Sequence, residues 1–333
     1  MAVFTAGSSY GLDFDGFDLL SLVAGDVTVA NGTTISTSDS GLTDTFTGSF
    51  QYNTAGELIG GTITGISQTF LGQTTYTLTG FAPISVATFL GWVATNANLT
   101  AMNTIFGGND VITGSPFEDL MRGFGGADTI DGGGGDDELF GGAGDDLIRG
   151  GAGRDFMRGE TGADLMYGGA EFDDMHGNQG ADTLYGEGGD DWVVGGQDGD
   201  LLYGDAGIDI VYGNMGADTL FGGQDRDFLR GGQDNDSLSG EAGDDWLSGD
   251  RGSDTISGGA GADTFHFFKG AGLDRVVDFS YAEGDRVIFE TPGVAYTLRQ
   301  EGADTVIDLG GGDTMVLVGV QLSSLPAGWI LNG

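Results

Sequence analysis

The sequence predicts an all-β protein whose central part is a solenoid of parallel strands. Glycine supplies 68 of the 333 residues and proline only four, a composition that disfavours helices and does not fit collagen. A nine-residue period runs through the middle of the chain, and an apolar residue recurs in every period. One such unit buries too little to fold alone, so its neighbours must complete the core.

The repeat is regular over a long stretch. From Gly114 to His266 the chain divides into seventeen nonapeptides without insertion or deletion, such as GGAGDDLIR (141–149), and a degenerate copy precedes them at 105–113. Position 1 is Gly in all seventeen, and position 8 is apolar in all eighteen copies. Position 6 is Asp in every copy: Asp110, Asp119, Asp128, Asp137, Asp146, Asp155, Asp164, Asp173, Asp182, Asp191, Asp200, Asp209, Asp218, Asp227, Asp236, Asp245, Asp254 and Asp263.

These aspartates are the candidate metal ligands. Two nonapeptides make one coil, so residues 18 apart stack about 4.8 Å above one another, and each edge of the solenoid carries a column of carboxylates. Bare carboxylates at that spacing repel, and Ca²⁺, which prefers carboxylate and carbonyl oxygens, would neutralise them. We therefore expect calcium at up to sixteen such pairs. Solvated turn residues are the alternative, because Asp is common in turns.

The nonapeptides resemble the RTX, or haemolysin-type calcium-binding, repeat, whose motif is G-G-x-G-x-D-x-U-x. The resemblance implies a parallel β-roll with calcium at both edges, ligated by the position-6 aspartates and by carbonyls of the turns. It also implies export by a type I secretion system that reads an uncleaved C-terminal signal. Some copies depart at position 4, where Glu171, Asp198, Asp225 and Asp234 replace Gly. Their sites either bind more weakly or use the extra carboxylate.

Three domains are predicted. Residues 1–104 form an N-terminal β-rich domain with short linking helices, residues 105–266 form the calcium-binding roll, and residues 267–333 form a C-terminal β cap that carries the export signal. In the first domain, alternation over 44–52 and 74–81 predicts antiparallel strands.

Local sequence patterns predict the structure on either side of the roll. Apolar residues at helical spacing after Pro83 predict the linking helices, with Ser85 as a possible N-cap. In the cap, runs at 286–289, 304–309 and 314–320 predict strands.

Charge restricts the partners. Fifty-one acidic against eleven basic residues give a net charge of −40, which disfavours nucleic acid and anionic membranes as partners and favours cations. No apolar run approaches the roughly 20 residues of a membrane span. The first basic residue is Arg122, so the positive start of a Sec signal peptide is missing. We expect an extracellular protein, secreted or associated with the cell surface.

No catalytic constellation stands out. Residues 1–121 contain no His, Lys, Arg or Cys, and the two histidines, His176 and His266, fall at position 9, which should face outward. The string GSSYG (7–11) matches the hydrolase elbow only formally. The carboxylates of the N-terminal domain, including those of DFDGFD (13–18), leave a polysaccharide-acting enzyme as an alternative.

Positions 7 and 9 should point outward and carry large apolar side chains in four consecutive coils. These two predicted ladders are Trp192, Ile210, Phe228 and Trp246 on one face, and Tyr167, Tyr185, Tyr203 and Phe221 on the other. They either contact other copies of the protein or a surface glycan, or they stabilise the coils.

The sequence thus favours a secreted calcium-binding structural or adhesive protein that folds on extracellular Ca²⁺ and self-assembles or attaches at the cell surface or in the matrix. A secreted polysaccharide-acting enzyme or a glycan-binding module that uses the roll for export and folding is the alternative.

Overall fold

The computed structural model describes residues 3–6, 26–30, 34–39, 42–52, 58–70, 73–85, 106–289 and 293–332. Within these ranges the chain is all-β, and its helical structure is limited to one 3-10 turn at Leu322–Ser324. The predicted linking helices after Ser85, the GSSYG string and the DFDGFD segment lie outside the described residues.

The chain forms two compact units, residues 1–156 and 157–333. The strands of the first unit are β1 (Val3–Ala6), β2 (Asp26–Ala30), β3 (Thr34–Asp39), β4 (Leu42–Tyr52), β5 (Leu58–Phe70), β6 (Gln73–Ser85), β7 (Val111–Thr113), β8 (Leu120–Gly125), β9 (Thr129–Gly134), β10 (Glu138–Ala143) and β11 (Leu147–Ala152). Strand β12 (Phe156–Thr161) starts at the last residue of that unit.

The first unit changes from antiparallel to parallel pairing along the chain. Strands β2 to β6 form an antiparallel meander, and the predicted strands at 44–52 and 74–81 lie in β4 and β6. Strand β1 pairs antiparallel with β6 and parallel with β7. From β7 onward alternate strands pair in parallel, with β7, β9 and β11 in one sheet and β8 and β10 in the other.

The second unit contains two parallel sheets. Its strands are β13 (Leu165–Ala170), β14 (Asp174–Gln179), β15 (Thr183–Gly188), β16 (Trp192–Gln197), β17 (Leu201–Ala206), β18 (Ile210–Met215), β19 (Thr219–Gln224), β20 (Phe228–Gln233), β21 (Ser237–Ala242), β22 (Trp246–Arg251), β23 (Thr255–Ser257), β24 (Thr264–Phe267), β25 (Leu273–Val276), β26 (Arg286–Phe289), β27 (Thr297–Glu301), β28 (Asp304–Gly310), β29 (Asp313–Leu317) and β30 (Ile330–Asn332).

Odd-numbered strands from β13 to β23 form one sheet, and even-numbered strands from β14 to β24 form the other. Partners lie 18 residues apart, as Tyr185 and Tyr203 do. Each coil therefore contains two nonapeptides, and the predicted parallel β-roll is confirmed.

The C-terminal strands extend both sheets. Strand β25 pairs with β23 and β29, and β27, β28 and β29 form an antiparallel meander beside it. Strands β26 and β30 continue the other sheet in parallel. The strand predictions at 286–289 and 304–309 correspond to β26 and β28, and the prediction at 314–320 corresponds to β29 in part.

The core between the sheets follows from the repeat. A full-length strand of the roll starts at position 7 of one nonapeptide and ends at position 3 of the next, so positions 8 and 1 face inward. The position-8 side chains are 0–2 % exposed, from Ile112 in the degenerate copy to Phe265 in the last. Each coil thus adds two apolar side chains to the core of its own unit.

The turns require left-handed backbone at two positions. Positive φ occurs at positions 2 and 4 of most copies, usually on Gly, as at Gly133 (96°) and Gly135 (105°). The position-4 departures keep this conformation: φ is 70° at Glu171, 72° at Asp198 and 76° at Asp234. Replacing Gly there preserves the turn but forces a side chain into a conformation that it disfavours.

Candidate calcium centre

The position-6 aspartates are buried where each turn meets its strand. All eighteen are 0–3 % exposed, although each is acidic. Their main chain is fixed by the ladder, since the carbonyl of Asp182 accepts a hydrogen bond from Leu201 N at 2.9 Å. A buried carboxylate needs compensation for the water that it loses.

One carboxylate oxygen bonds to the neighbouring coil. In both units, Oδ1 accepts a hydrogen bond from the backbone N–H of the aspartate 18 residues earlier, over 2.7–3.0 Å. Asp236 Oδ1, for example, binds Asp218 N at 2.9 Å. This contact fixes the register of successive coils and brings successive carboxylates into one column.

The other oxygen lacks such compensation in most copies. Within the described part of the chain, Oδ2 is buried and accepts no hydrogen bond in Asp128, Asp137, Asp182, Asp191, Asp200, Asp209, Asp218, Asp227, Asp236, Asp245, Asp254 and Asp263. An unsatisfied buried oxygen is destabilising, and repetition of the same one through the roll indicates a ligand-binding role.

The position-1 glycine makes room for this oxygen. A Cβ on Gly186 would lie 2.7 Å from Asp191 Oδ2 and 2.5 Å from the carbonyl oxygen of Gly204. On Gly204 it would lie 2.5 Å from both Asp209 Oδ2 and the carbonyl oxygen of Gly222. These glycines are outside the positive-φ set, so they are required for space and not for a left-handed turn.

Burial shifts the titration of the carboxylates. The pKa rises mainly because burial disfavours the charged form, and the charges of neighbouring aspartates add to it, while the hydrogen bond to Oδ1 opposes it. The pKa is about 6 for Asp209, Asp218 and Asp245, about 7 for Asp128, Asp182, Asp191 and Asp263, and about 8 for Asp137, Asp200, Asp227 and Asp236.

The donor set fits a hard cation. At several position-1 glycines, among them Gly186, Gly204 and Gly240, a carboxylate oxygen and a carbonyl oxygen converge from adjacent coils, and Ca²⁺ prefers oxygen ligands of these two types. Among the described residues, no three acidic or histidine side chains converge on one point. The oxygens that converge here belong to carboxylates and to the backbone.

Some acidic residues of the roll were not singled out by the sequence analysis. At position 5, Asp136, Asp190 and Asp244 accept hydrogen bonds from backbone N–H groups 18 residues later, over 2.8–3.0 Å. These side chains add a second, exposed link between coils. Beyond the repeats, Asp274 and Asp285 are buried as deeply as the position-6 aspartates, at 1 % and 3 % exposure.

Both histidines lie on the outer face of the even-numbered sheet. His176 Nε2 is 3.0 Å from Asp174 Oδ1, and burial lowers its pKa. The ring of His266 stacks on Trp246 at 4.9 Å, and its Nδ1 is 3.3 Å from Ser248 Oγ. The two rings serve separate side-chain networks.

The aromatic ladders form as the sequence predicts. Tyr167, Tyr185, Tyr203 and Phe221 are successive partners across the odd-numbered sheet, and their rings stack at 5.1, 4.6 and 4.8 Å with interplanar angles of 5–8°. On the other sheet Trp192, Ile210, Phe228 and Trp246 align in the same way, and Trp192 is 41 % exposed.

The fold and the buried carboxylates define a parallel β-roll repeat protein. The family model of the RTX calcium-binding nonapeptide repeat matches the chain at 104–139, 131–166, 140–173, 167–202, 194–229 and 230–265. Residues 104–265 therefore consist of repeats of this calcium-binding family. Such repeats are typical of secreted proteins. Among the described residues, no helix is long and apolar enough to cross a membrane.

Two solved structures are similar to parts of the chain. One is the solution structure of the AlgE6R3 subunit of the Azotobacter vinelandii mannuronan C5-epimerase, with 26 % identity, 41 % of this chain and 79 % of that chain covered, and a TM-score of 0.27. The other is the extracellular lipase LipA of Serratia marcescens, with 13 % identity, 95 % and 84 % covered, and a TM-score of 0.24. No curated protein matches the chain.

Proposed function

We propose that the protein is a secreted structural protein whose roll folds when its position-6 aspartates bind extracellular Ca²⁺. The observation that carries the proposal is the repeated buried Oδ2 without a hydrogen-bond partner, as in Asp200 and Asp236. All eighteen position-6 aspartates are assigned as ligands, together with backbone carbonyls that face them from the adjacent coil, such as that of Gly222 opposite Asp209. Asp119 is the weakest ligand of the set, because its Oδ2 already accepts a hydrogen bond from Ser115 N at 2.6 Å.

Calcium supplies positive charge and oxygen coordination that the chain itself lacks at these positions. Without it, the roll must either protonate the aspartates or leave buried charges in a column, and both oppose folding near neutral pH. Binding energy is then folding energy, because the unfolded chain has no preformed site. Extracellular modules bind calcium at about 10⁻⁴–10⁻³ M, so the repeats would stay unfolded inside the cell and fold outside it.

Repeats that stay unfolded inside the cell can be exported as an unfolded chain. We assign the type I secretion machinery as the export partner, with its signal in residues 267–333. The proposed domains are an N-terminal β-rich domain at 1–104, a roll at 105–266 and a C-terminal cap. The support for this division is the change from antiparallel pairing in β2 to β6 to parallel pairing from β7 onward.

The proposed contact for self-association is the tyrosine ladder, which consists of Tyr167, Tyr185, Tyr203 and Phe221. Its rings are half-buried and stacked into a regular column, which leaves ring edges and hydroxyl groups in contact with solvent. An ordered apolar strip on an otherwise highly charged protein favours contact with a second copy of the same strip. A structural role at the cell surface or in the matrix would use this contact.

A double substitution tests this role. Tyr185→Ser with Tyr203→Ser should weaken calcium-dependent association, measured by light scattering, while the circular dichroism of the folded protein is unchanged. Trp192→Ser, on the opposite sheet, is the matched control and should leave association intact. If the double variant associates normally and only its melting temperature falls, the ladder stabilises the coils and has no role in assembly.

A glycan-binding role is the second candidate, and a polar cleft on the even-numbered sheet favours it. The cleft has a volume of about 460 Å³, and its lining includes Asn178, Gln179, Gln197 and Asn214. Amide side chains offer both donors and acceptors, as sugar hydroxyls require. A second cleft, of about 400 Å³, shares Asn214 with it and is lined also by Arg230, Arg251 and His266.

Binding to immobilised glycans separates the candidates. Gln197→Ala with Asn214→Ala should abolish binding if the cleft is the site, whereas the tyrosine variant should not. Glycan turnover by the full chain would favour the alternative of a polysaccharide-acting enzyme. Assembly without glycan binding would support the structural role and exclude the glycan-binding role.

A further inference from the structure

The RTX repeats extend one nonapeptide beyond the last copy found by periodicity. The segment KGAGLDRVV (269–277) has Gly at positions 2 and 4, Asp at position 6 and Val276 at position 8. Two inserted residues, Phe267 and Phe268, break the register, and Lys269 replaces the position-1 Gly. Asp274 therefore follows Asp254 by 20 residues, which hides it from a search at a period of nine.

The backbone of this segment is that of a repeat. Gly270 and Gly272 have φ of 103° and 105°, as position-2 and position-4 residues do. Val276 is 0 % exposed and pairs with Ile256, the position-8 residue of the previous coil. The turn and the inward-facing residue both match.

The hydrogen bonds to the previous coil also match. Gly252 N donates to Ala271 O at 2.7 Å, as Gly243 N donates to Ala260 O at 3.0 Å one nonapeptide earlier. Arg275 N donates to Asp254 O at 2.8 Å, which repeats the ladder bond that most position-6 aspartates accept, such as that from Thr255 N to Asp236 O at 2.9 Å. The two extra residues are absorbed before the turn and do not shift the coil.

Asp274 reproduces the candidate ligand geometry. It is 1 % exposed, and its Oδ1 accepts a hydrogen bond from Asp254 N at 3.4 Å. Its Oδ2 is buried and accepts no hydrogen bond, and the same holds for Oδ2 of Asp254. Two buried carboxylates thus lie in adjacent coils, as they do inside the repeats, and in this pair the two side chains also approach each other within hydrogen-bonding range.

Asp285 is a contrast at the end of the other column. It follows Asp263 by 22 residues and also accepts a hydrogen bond from its backbone N–H, at 3.1 Å. Its Oδ2, however, accepts a hydrogen bond from Ser280 N at 2.7 Å. Both oxygens are satisfied by the chain, so Asp285 ends its column without a cation.

We propose that Asp274, together with Asp254, holds an additional calcium ion in a degenerate repeat at the boundary with the C-terminal strands, and that Asp285 holds none. This inference rests on the proposed function of the position-6 aspartates. An ion at this site would make the folding of the C-terminal strands depend on calcium, because Asp274 lies in β25 and β25 pairs with β29.

Calcium counting on the full-length protein tests the assignment. Asn is isosteric with Asp and keeps the Oδ1 acceptor, so Asp274→Asn removes the charge with little change of shape. At saturating calcium, equilibrium dialysis should give one ion fewer for Asp274→Asn, at least one fewer for Asp236→Asn and no change for Asp285→Asn. If Asp274→Asn keeps the full count while Asp236→Asn loses ions, the additional site is overturned.

If neither Asp274→Asn nor Asp236→Asn loses ions, the proposed function itself fails.

If Asp274→Asn does not fold, a second measurement replaces the ion count. In the unmodified protein, hydrogen exchange at 273–276 should become protected only as calcium is added. Protection of β25 already present in EDTA would overturn the inference.

Discussion

Asp236 Oδ1 accepts a hydrogen bond from the backbone N–H of Asp218 at 2.9 Å, while Oδ2 of the same carboxylate is buried without a hydrogen-bond partner. One oxygen fixes the spacing of two coils, and the other lies beside the position-1 glycine Gly231. The column is therefore assembled by hydrogen bonds and left short of positive charge. Asp254 repeats the relationship with Asp236 at 2.8 Å, so each carboxylate depends on the next.

Asp236→Asn should change stability in opposite directions with and without calcium. In EDTA near pH 7.5, it removes a carboxyl whose pKa burial raises to about 8, so the folded fraction should rise. In about 10 mM calcium, above the range of most extracellular sites, the lost ligand should lower the melting temperature. Circular dichroism measures both, with an osmolyte added to populate the fold in EDTA.

The matched control is Asp174→Asn, because Asp174 lies at position 7, outside the column, and pairs with Arg158 Nη1 at 3.2 Å. It should not raise the folded fraction in EDTA. A fall in stability for Asp236→Asn in both conditions would contradict the ligand role.

Gly186→Ala should damage one coil, and Gly188→Ala should not. A Cβ on Gly186 meets the carbonyl of Gly204 at 2.5 Å, whereas on Gly188 its nearest neighbour is the carbonyl oxygen of Gly169 at 3.8 Å. Overpacking costs about 1–3 kcal/mol, which for a domain of this size lowers the melting temperature by roughly 2–12 °C. Equal melting temperatures for the two variants in saturating calcium would show that position 1 is not limited by space.

Acid should partly replace calcium. The pKa of Asp200 rises to about 8 and that of Asp218 to about 6, so the folded state holds protons that the unfolded chain releases near pH 4. The stability of the calcium-free roll is therefore fully present below about pH 4 and is lost as pH rises through 6–8. Titration in EDTA by circular dichroism should show β-structure at pH 5 and its loss by pH 8.

Salt provides the control for this titration. Surface repulsion between exposed acids is screened at about 1 M salt, but the desolvation of the buried carboxylates is not. The loss of structure between pH 5 and 8 should persist in high salt. Complete rescue by salt at pH 8 would assign the effect to net charge instead.

Asp234→Gly decides between the two roles left open for the position-4 carboxylates. Asp234 has φ of 76°, and its charge raises the pKa of Asp218 and contributes to that of Asp236. Gly removes both the strain of the positive φ and the charge repulsion. The free energy of unfolding of the calcium-free roll should therefore rise by about 1 kcal/mol from the backbone conformation alone. Calcium affinity, measured by calorimetry, should be unchanged or higher. A several-fold loss of affinity would show that Asp234 acts as a ligand.

Much of the roll could be predicted from sequence because its chemistry is local and periodic. The invariant Asp at position 6 and the apolar residue at position 8 gave the two-sheet coil, the core and the columns. The spacing of 18 residues also gave the stacked pair Tyr185 and Tyr203. Each of these depends only on which residues a regular coil brings together.

Other features required coordinates. The reason for Gly at position 1 lies in an oxygen 18 residues away, so Gly186 looked like another turn glycine. Asp274 was missed because Phe267 and Phe268 shift it from the nine-residue period, although the string GAGLD carried the signal. The hydrogen bond from Ser280 N that satisfies Asp285 depends on a loop conformation that no periodicity predicts.

Calcium titration of the EDTA-treated protein tests whether the roll folds only when calcium binds. Circular dichroism and light scattering are followed together while calcium rises from micromolar to about 10 mM. We expect β-structure to appear cooperatively near the millimolar range, and large ordered particles to form once the roll has folded. Full β-structure in EDTA at pH 8, unchanged by calcium, would contradict it.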